Sequence, residues 1–342
     1  VLLWLFHLLV LHDIRRAAVV NTITTVLKLV PILVFIVFAV GAFRADIFAL
    51  NFRGSEQPDA ATLMEQMRSM MLVAVFTLIG MEGANVFSRY AEKRRHIGTA
   101  TVLGTVSVLC LLVLVTMLSY GLLLRPELST LSAPALGSVM QSVVGNWGWA
   151  FMSIGLLVSI LGNYLAWSLL ATEVLYAAAR DGAMPGFLGG ESAKGVPAAS
   201  LLLTNLVIQA FLILSWFAEH AFYLALQMTS SMMLVPYLLV AAFGVKLALS
   251  GETYAGSSRR RLAEGTCSAF ALVFAVAMLY AAGAKFLLLS TILYTCGVAL
   301  FILARSENHG RALVGADWIV FIGLATGALI AVYALSAGLL RL

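Results

Sequence analysis

The sequence contains few charged residues. Only 11% of its 342 residues are Asp, Glu, Lys or Arg, whereas 62% are hydrophobic. A soluble domain usually has about 25% charged and about 45–50% apolar residues. The chain therefore cannot cover itself with a surface that faces water. This excludes a soluble enzyme, a nucleic-acid-binding protein and a secreted disulfide-bonded module.

Residues that build metal sites and disulfides are also scarce. The three cysteines lie inside hydrophobic runs without a CxxC spacing, at Cys110, Cys267 and Cys296. We expect inert packing thiols there. The five histidines are scattered over different segments, at His7, His12, His96, His220 and His309. Because no HExxH, catalytic-triad, P-loop or dinucleotide-binding pattern occurs, we expect no enzyme, no cofactor and no metal.

Long hydrophobic runs are present throughout the chain. A helix needs about 20 apolar residues to cross a bilayer, so the length allows about ten spans. The predicted spans are 17–43, 70–88, 98–124, 147–179, 198–217, 220–245, 265–284, 286–304 and 313–340. Short alternating segments typical of a membrane β-barrel are not visible, so we predict helices.

The run at residues 1–11 is too short to cross a bilayer, and it lacks the charged start of a signal peptide. The first residue is Val. These features lead us to expect a chain truncated at its N-terminus.

Lys and Arg residues are distributed unevenly between alternate loops. Fourteen of the 21 lie on one side, six lie on the other and Lys28 lies inside a span. The positive-inside rule makes the richer side cytoplasmic. The basic excess thus reflects orientation, although the runs Lys93–Arg95 and Arg259–Arg261 could also contact anionic lipid. The polar stretches 44–69 and 246–264 are expected to be ordinary loops.

Ionisable residues within spans are costly and usually mark function. Lys28 follows Arg16 by twelve residues, which places it about 18 Å into a hydrocarbon core about 30 Å thick. Pro31 lies in the same span and removes one backbone hydrogen bond. Lys28 could therefore donate to the carbonyls that Pro31 frees, or it could be a fixed or titrating cation beside a transport path.

Glu82 lies between Gly80 and Gly83, inside a predicted span. Glycines weaken a helix, and transporters expose backbone groups to a ligand at helix breaks near mid-membrane. A carboxylate there suits a cationic ligand or a proton. The alternative is close helix packing with Glu82 hydrogen-bonded to a neighbour. For Glu173, by contrast, a structural ion pair is favoured over a ligand role.

A span with small residues on one face carries a central tryptophan. Gly155, Ser159, Gly162 and Ala166 follow a spacing that favours close helix packing. Trp167 lies near the middle of this span, and its ring could hold a cation, worth about 0.5–2 kcal/mol. Most membrane tryptophans instead lie in interface belts. The polar cluster 227–231 could satisfy backbone groups near Pro236 or line a cavity.

One of these stretches resembles a known family of transporters. Val75–Ser88 reads VFTLIGMEGANVFS and is followed by Lys93-Arg94 and by Gly98–Thr101. It resembles the sixth helix of basic amino acid antiporters in the amino acid, polyamine and organocation superfamily.

Two further stretches carry the same resemblance. Ala166–Leu175, followed by Ala178–Pro185 and Gly195–Ala198, is similar to the eighth helix and following loop of arginine/ornithine antiporters. Asn21-Thr22 followed by Lys28–Pro31 is similar to their fifth helix.

The resemblance implies an all-α polytopic membrane protein. Its fold would be the LeuT-like inverted-repeat transporter fold, lacking its first three helices, with residues 1–11 as the end of the fourth. Residues 1–245 would form the transport-core fragment, and residues 246–342 would form peripheral helices 11 to 13. The broken first helix would then be absent, and with it about half of the expected site.

The resemblance also implies roles for individual residues. Glu82 would be the acid at the sixth-helix break, with Ile79, Gly80 and Gly83 shaping that break. Trp167 would line the substrate path, and Phe76 stands where the family commonly has Trp. Lys28 resembles a lysine that occupies the place of a sodium ion in sodium-coupled relatives, which favours sodium-independent transport.

Three functions follow as hypotheses. The first is a multi-pass antiporter of the inner (plasma) membrane that exchanges cationic amino acids, most readily arginine for ornithine. The alternative within the same fold is a proton-coupled lysine or polyamine permease. The third is a membrane sensor or assembly subunit without transport. A cationic amino acid and the lipid bilayer are the expected partners, nucleic acid is not, and a homodimer is left open.

Overall fold

The structure is a computed structural model built from helices. It describes residues 1–12, 14–53, 60–131, 134–216, 221–252, 254, 258–309 and 315–337. Its α-helices, in chain order, are α1 (Leu2–His12), α2 (Ile14–Ala42), α3 (Ala45–Arg53), α4 (Ala60–Leu78), α5 (Gly83–Val86), α6 (Arg94–Tyr120), α7 (Arg125–Thr130), α8 (Ala135–Val144), α9 (Asn146–Arg180), α10 (Ala198–Ser215), α11 (Ala221–Ser250), α12 (Ser258–Ala282), α13 (Ala284–His309) and α14 (Ala316–Ser336). Within these ranges no strand occurs, which confirms the all-α prediction.

Eight of the described helices are long and apolar enough to cross a membrane: α2, α6 and α9 to α14. Each corresponds to a predicted span. The remaining predicted span, 70–88, is interrupted, because α4 ends at Leu78 and α5 begins only at Gly83. The chain is therefore a multi-pass membrane protein.

The chain folds into two compact units. Unit 1 comprises residues 1–58, 81–181 and 186–210, and unit 2 comprises residues 59–80, 182–185 and 211–342. This grouping reflects compactness. The functional division predicted at residue 245 stays a prediction.

Helices α2 and α9 of unit 1 pack closely along the small-residue face of α9. A Cβ added at Gly162 would lie 2.6 Å from Cβ of Thr24, and one added at Gly155 would overlap the ring of Pro31. The two contact points are seven residues, or about two turns, apart along each helix. The predicted close packing of this face is thus confirmed.

The stretch 44–69 is not the ordinary loop that was predicted, because it contains α3 and the first half of α4. Asn51 of α3 is buried and holds the turn after α6. Its Nδ2 donates to the carbonyls of Tyr120 (2.7 Å) and Leu123 (2.8 Å). Its Oδ1 accepts from the amide of Arg125 at 2.9 Å.

An exposed ion pair marks the start of α3. The guanidinium of Arg44 donates to the carboxylate of Asp46 at 2.9 Å. This hydrogen bond lowers the pKa of the Asp46 carboxyl.

In unit 2, α4 packs against α11 and α12. Leu72 and Val75 form a buried cluster with Leu234, Met278 and Ala282. Apolar positions of three helices thus make the core of this unit.

Arginines at the start of α12 bind the protein itself. Arg261 donates to the carbonyls of Ala248 (2.6 Å) and Leu249 (2.7 Å), which cap the end of α11. Arg260 pairs with Glu264 at 2.7 Å. The carbonyls of Ala248 and Leu249 have no partner within their own helix. The basic run Arg259–Arg261 therefore supports helix packing as well as orientation.

The three cysteines are free thiols, as expected, but the prediction that they are packed is wrong. Cys110, Cys267 and Cys296 are all exposed, on α6, α12 and α13. In a membrane the surroundings of such a surface are lipid. Apolar residues can therefore face outwards there without cost.

Candidate functional site

The predicted helix break is present. Helix α4 ends at Leu78 and α5 begins at Gly83, with turn residues between them. Gly80 has a φ of 108°, a backbone conformation that a residue with a Cβ rarely adopts. The glycine thus allows the chain to leave one helix and enter the next within four residues.

Glu82 lies at the position immediately before α5, and its side chain is half-buried. Its carbonyl accepts the amides of Asn85 (2.8 Å) and Val86 (3.3 Å), which start the short helix. The acid is therefore neither part of a continuous helix facing lipid nor turned fully into solvent. Both of these arrangements would have removed the basis for a ligand role.

Helix α5 packs against α9 in unit 1. A Cβ at Gly83 would lie 3.5 Å from Cδ1 of Leu170, an ordinary contact distance. Leu170 follows Trp167 by three residues, so the two side chains share a face of α9. Trp167 keeps 38% of its surface exposed.

Lys28 lies between the two close contacts of α2 with α9. It follows Thr24 by four residues and precedes Pro31 by three, so all three lie on one face of α2. The antiparallel register that these contacts define places Lys28 level with position 158, next to Ser159 of the small-residue face. Lys28 is half-buried. Its two interpretations, a donor to carbonyls near Pro31 and a cation beside a transport path, both stay predictions.

Phe76 and Ile79 lie at the end of α4 and just after it, in unit 2. Phe76 is 38% exposed, whereas Ile79 packs against the cluster around Leu72 and Leu234. The seven predicted site residues divide between the two units. Phe76, Ile79 and Gly80 belong to unit 2, and Lys28, Glu82, Gly83 and Trp167 belong to unit 1.

One residue of the polar cluster on α11 serves the backbone. Ser230 is buried and donates to the carbonyl of Leu72 at 2.8 Å and to that of Leu226 at 2.9 Å. Ser231 is also buried, and its hydroxyl has no hydrogen-bond partner within the described part. Of the two interpretations, satisfying backbone groups is supported for Ser230, although one of its acceptors belongs to α4 and not to the proline-containing helix.

Sequence reasoning missed a buried polar link in unit 1. His7, treated as one of several scattered histidines, is hydrogen-bonded to Asn205, and Asn205 is bonded to Tyr164. The available signal was only the presence of polar residues in hydrophobic runs. A separation of 198 residues between His7 and Asn205 is invisible to any local pattern. Glu173, also in this unit, is buried, and its predicted structural ion pair stays a prediction.

The comparison with family models gives a clear match. The model of the amino acid permease family matches residues 1–323. The chain belongs to the amino acid permease family. As a permease with multiple membrane spans, it is a transporter and not an enzyme.

Individual relatives of this permease carry more specific names. The arginine/ornithine antiporter of Pseudomonas aeruginosa is 44% identical across all of this chain and 72% of the relative. The arginine/ornithine antiporter of Latilactobacillus sakei is 32% identical over 99% of this chain and 71% of that protein. The arginine/agmatine antiporter of Chlamydia pneumoniae is 32% identical over all of this chain and 72% of that protein.

Proposed function

We propose that this permease exchanges cationic amino acids across the inner (plasma) membrane by alternating access, with arginine and ornithine as the exchanged pair. The observation that carries the proposal is Glu82, a half-buried carboxylate at a helix break within an apolar segment. The names of the relatives support it. The relative at 44% identity exchanges ornithine by its name, whereas the arginine/agmatine antiporter is 32% identical.

The charge of Glu82 suits such a substrate. A carboxylate in an apolar segment is costly unless a cation or hydrogen-bond donors compensate it. Arginine and ornithine both bring a cationic side chain. Because each carries the same net charge, replacing one by the other leaves the charge of the site unchanged, and exchange moves no net charge.

The other predicted residues have supporting roles in this proposal. Trp167 offers a partly open ring on the face of α9 that α5 contacts, where a guanidinium or ammonium group can stack. Gly80 and Gly83 shape the break, and Phe76 and Ile79 lie in and just after the helix that leads into it. Lys28 supplies a fixed positive charge, which replaces a coupling ion and makes transport independent of sodium.

The experiment that tests the exchange uses the protein expressed from its complete reading frame and reconstituted in liposomes. Uptake of labelled arginine should require internal ornithine and be absent from empty liposomes. Agmatine-loaded liposomes should support slower uptake. Equal uptake into loaded and empty liposomes would contradict exchange, and uptake driven by a pH gradient alone would indicate a proton-coupled permease.

The role of Glu82 is tested by Glu82→Gln, which removes the charge and keeps the size. A hydrogen bond to a charged group is worth about 1.5–3 kcal/mol, so kcat/KM should fall by one to two orders of magnitude. Glu92→Gln is the matched control, because Glu92 is exposed ten residues further along the chain. Equal activity of the two variants would refute the role of Glu82.

A further inference from the structure

Three helices of unit 1 are joined by one buried chain of hydrogen bonds. The hydroxyl of Tyr164 on α9 donates to Oδ1 of Asn205 on α10 at 2.8 Å. Nδ2 of Asn205 lies 2.7 Å from Nδ1 of His7 on α1. His7 is 7% exposed and Asn205 is 1% exposed.

The surroundings of this chain are apolar. Val10 of α1, Leu165 of α9 and Leu201 of α10 belong to one buried cluster. The edge of the Trp4 ring meets the His7 ring, with the centroids 5.3 Å apart. In such an environment each polar group depends on its protein partner, because an unpaired group would be costly.

The hydrogen-bond directions fix the state of His7. Asn205 uses its amide oxygen to accept from Tyr164, so it presents its NH2 group to His7. An NH2 group only donates, and Nδ1 of His7 must therefore carry a lone pair. The arrangement requires the neutral imidazole with its proton on Nε2.

Protonation of His7 is incompatible with this arrangement. Both ring nitrogens of a charged histidine are donors, so Nδ1–H would oppose the NH2 group of Asn205. The amide would have to turn over, and its NH2 group would then face the Tyr164 oxygen. The Tyr164 hydroxyl would need another acceptor. Ser168 lies one turn further along α9, and its buried hydroxyl lies beside that of Tyr164, where it can accept this hydrogen bond.

The elements that pack around His7 carry several ionisable residues. The ionisable residues of these elements are His12 on α1, Arg15, Arg16 and Lys28 on α2, Tyr164, Glu173, Tyr176 and Arg180 on α9, and Glu191 and Lys194 on the segment before α10. Helix α10 itself has none. Among the described side chains, Tyr164 is the ionisable group that the hydrogen bonds connect to His7. Glu173 lies nine residues beyond it, about 13 Å along the helix.

We propose that His7 is a proton-binding site, and that its protonation reverses the hydrogen bonds through Asn205 to Tyr164 and lowers exchange at acidic pH. Histidine is the side chain whose charge ordinarily changes between pH 5 and 8, and the burial of His7 disfavours its charged form, so we expect protonation in the acidic part of that range. Above that range the link between α1, α9 and α10 is intact. Below it, the buried charge and the reversal of these hydrogen bonds loosen the link. The effect on exchange rests on the proposed function, whereas the effect on stability does not.

The test compares variants of the full-length protein between pH 7.5 and pH 5.5. In the wild type, the exchange rate should fall by about fivefold. Loss of one uncharged hydrogen bond lowers the population of the intact link by about this factor. His7→Asn places an amide oxygen where Nδ1 of His7 accepts from Asn205, but it does not titrate. The fall in exchange at acidic pH should therefore disappear in this variant. His12→Asn is the matched control, because His12 is an exposed histidine on the same helix, and it should behave like the wild type.

A second variant keeps the test decisive if His7→Asn fails to fold. In Asn205→Asp the carboxylate accepts from both Tyr164 and a charged His7, so the acidic fall should also disappear. The melting temperature of the purified protein is the readout that does not depend on transport. It should decrease from pH 7.5 to pH 5.5 in the wild type and in His12→Asn, but not in the His7→Asn or Asn205→Asp variants.

The outcomes separate the two proposals. If the wild type and every variant fail to exchange arginine but the melting temperatures follow this pattern, antiport is refuted and the proton site is supported. If exchange is normal and the variants at His7 and Asn205 keep the pH response of the wild type, the proton site is refuted.

Discussion

The contact between α2 and α9 predicts the effect of filling its closest point. In Gly162→Ala, the new methyl group would lie 2.6 Å from both Cβ and Oγ1 of Thr24. Neither atom is the far end of a flexible side chain, so the two helices must separate by several tenths of an ångström. The substitution therefore tests whether this face requires glycine.

Two opposing terms set the magnitude. Overpacking of a tight interface typically costs about 1–3 kcal/mol, whereas replacing glycine by alanine inside a helix gains about 1 kcal/mol. Gly104→Ala isolates the gain from the alanine, because among the described residues no atom outside the adjoining backbone of α6 lies within 4 Å of a Cβ at Gly104. Relative to that control, Gly162→Ala should be less stable by the overpacking term, about 1–3 kcal/mol.

The assay is the free energy of unfolding in mixed micelles, measured by titration with a denaturing detergent. Combining Gly162→Ala with Thr24→Gly restores the space. The double variant should therefore be more stable than the sum of the two single effects predicts. If Gly162→Ala and Gly104→Ala are equally stable, the helices do not approach as closely as described, and the reasoning about the small-residue face is refuted.

Two further predictions concern the break and the core of unit 2. Gly80→Ala forces a Cβ into a backbone conformation with φ of 108°, at a cost of about 1–3 kcal/mol, and arginine exchange should fall while Gly98→Ala remains active. Unchanged exchange in both would show that the break tolerates another geometry. Ser230→Ala removes the 2.8 Å bond to the Leu72 carbonyl and should cost about 0.6 kcal/mol of unfolding free energy, and at most about 1.7. Ser290→Ala removes only a bond within its own helix and should cost less, so a larger loss there would contradict the interhelical role of Ser230.

Hydropathy predicted the spans because each apolar run must be long enough to cross the bilayer on its own. The break was predictable for a related reason, since Gly80 and Gly83 flank an acid that a continuous helix would expose to lipid. These signals are local. They need no knowledge of what lies against the helix.

The features that were missed depend on distant residues. Helix α3 is anchored by Asn51 through bonds to residues 69 to 74 positions away, so the stretch looked like a loop. The link between His7 and Asn205 is equally non-local. The cysteines were misplaced because hydrophobicity does not distinguish a side chain that faces lipid from one that faces protein.

The length of α9 has a consequence of its own. Its 35 residues extend about 52 Å, against a hydrocarbon thickness of about 30 Å. Tilting cannot absorb the difference, because even at about 40°, the upper end of the usual range, the rod still projects about 40 Å along the bilayer normal. At least one of its tips must stand among headgroups or in water. If the segment of α9 inside the membrane tilts, the end of the helix outside the hydrocarbon core would therefore move with it as one rigid body.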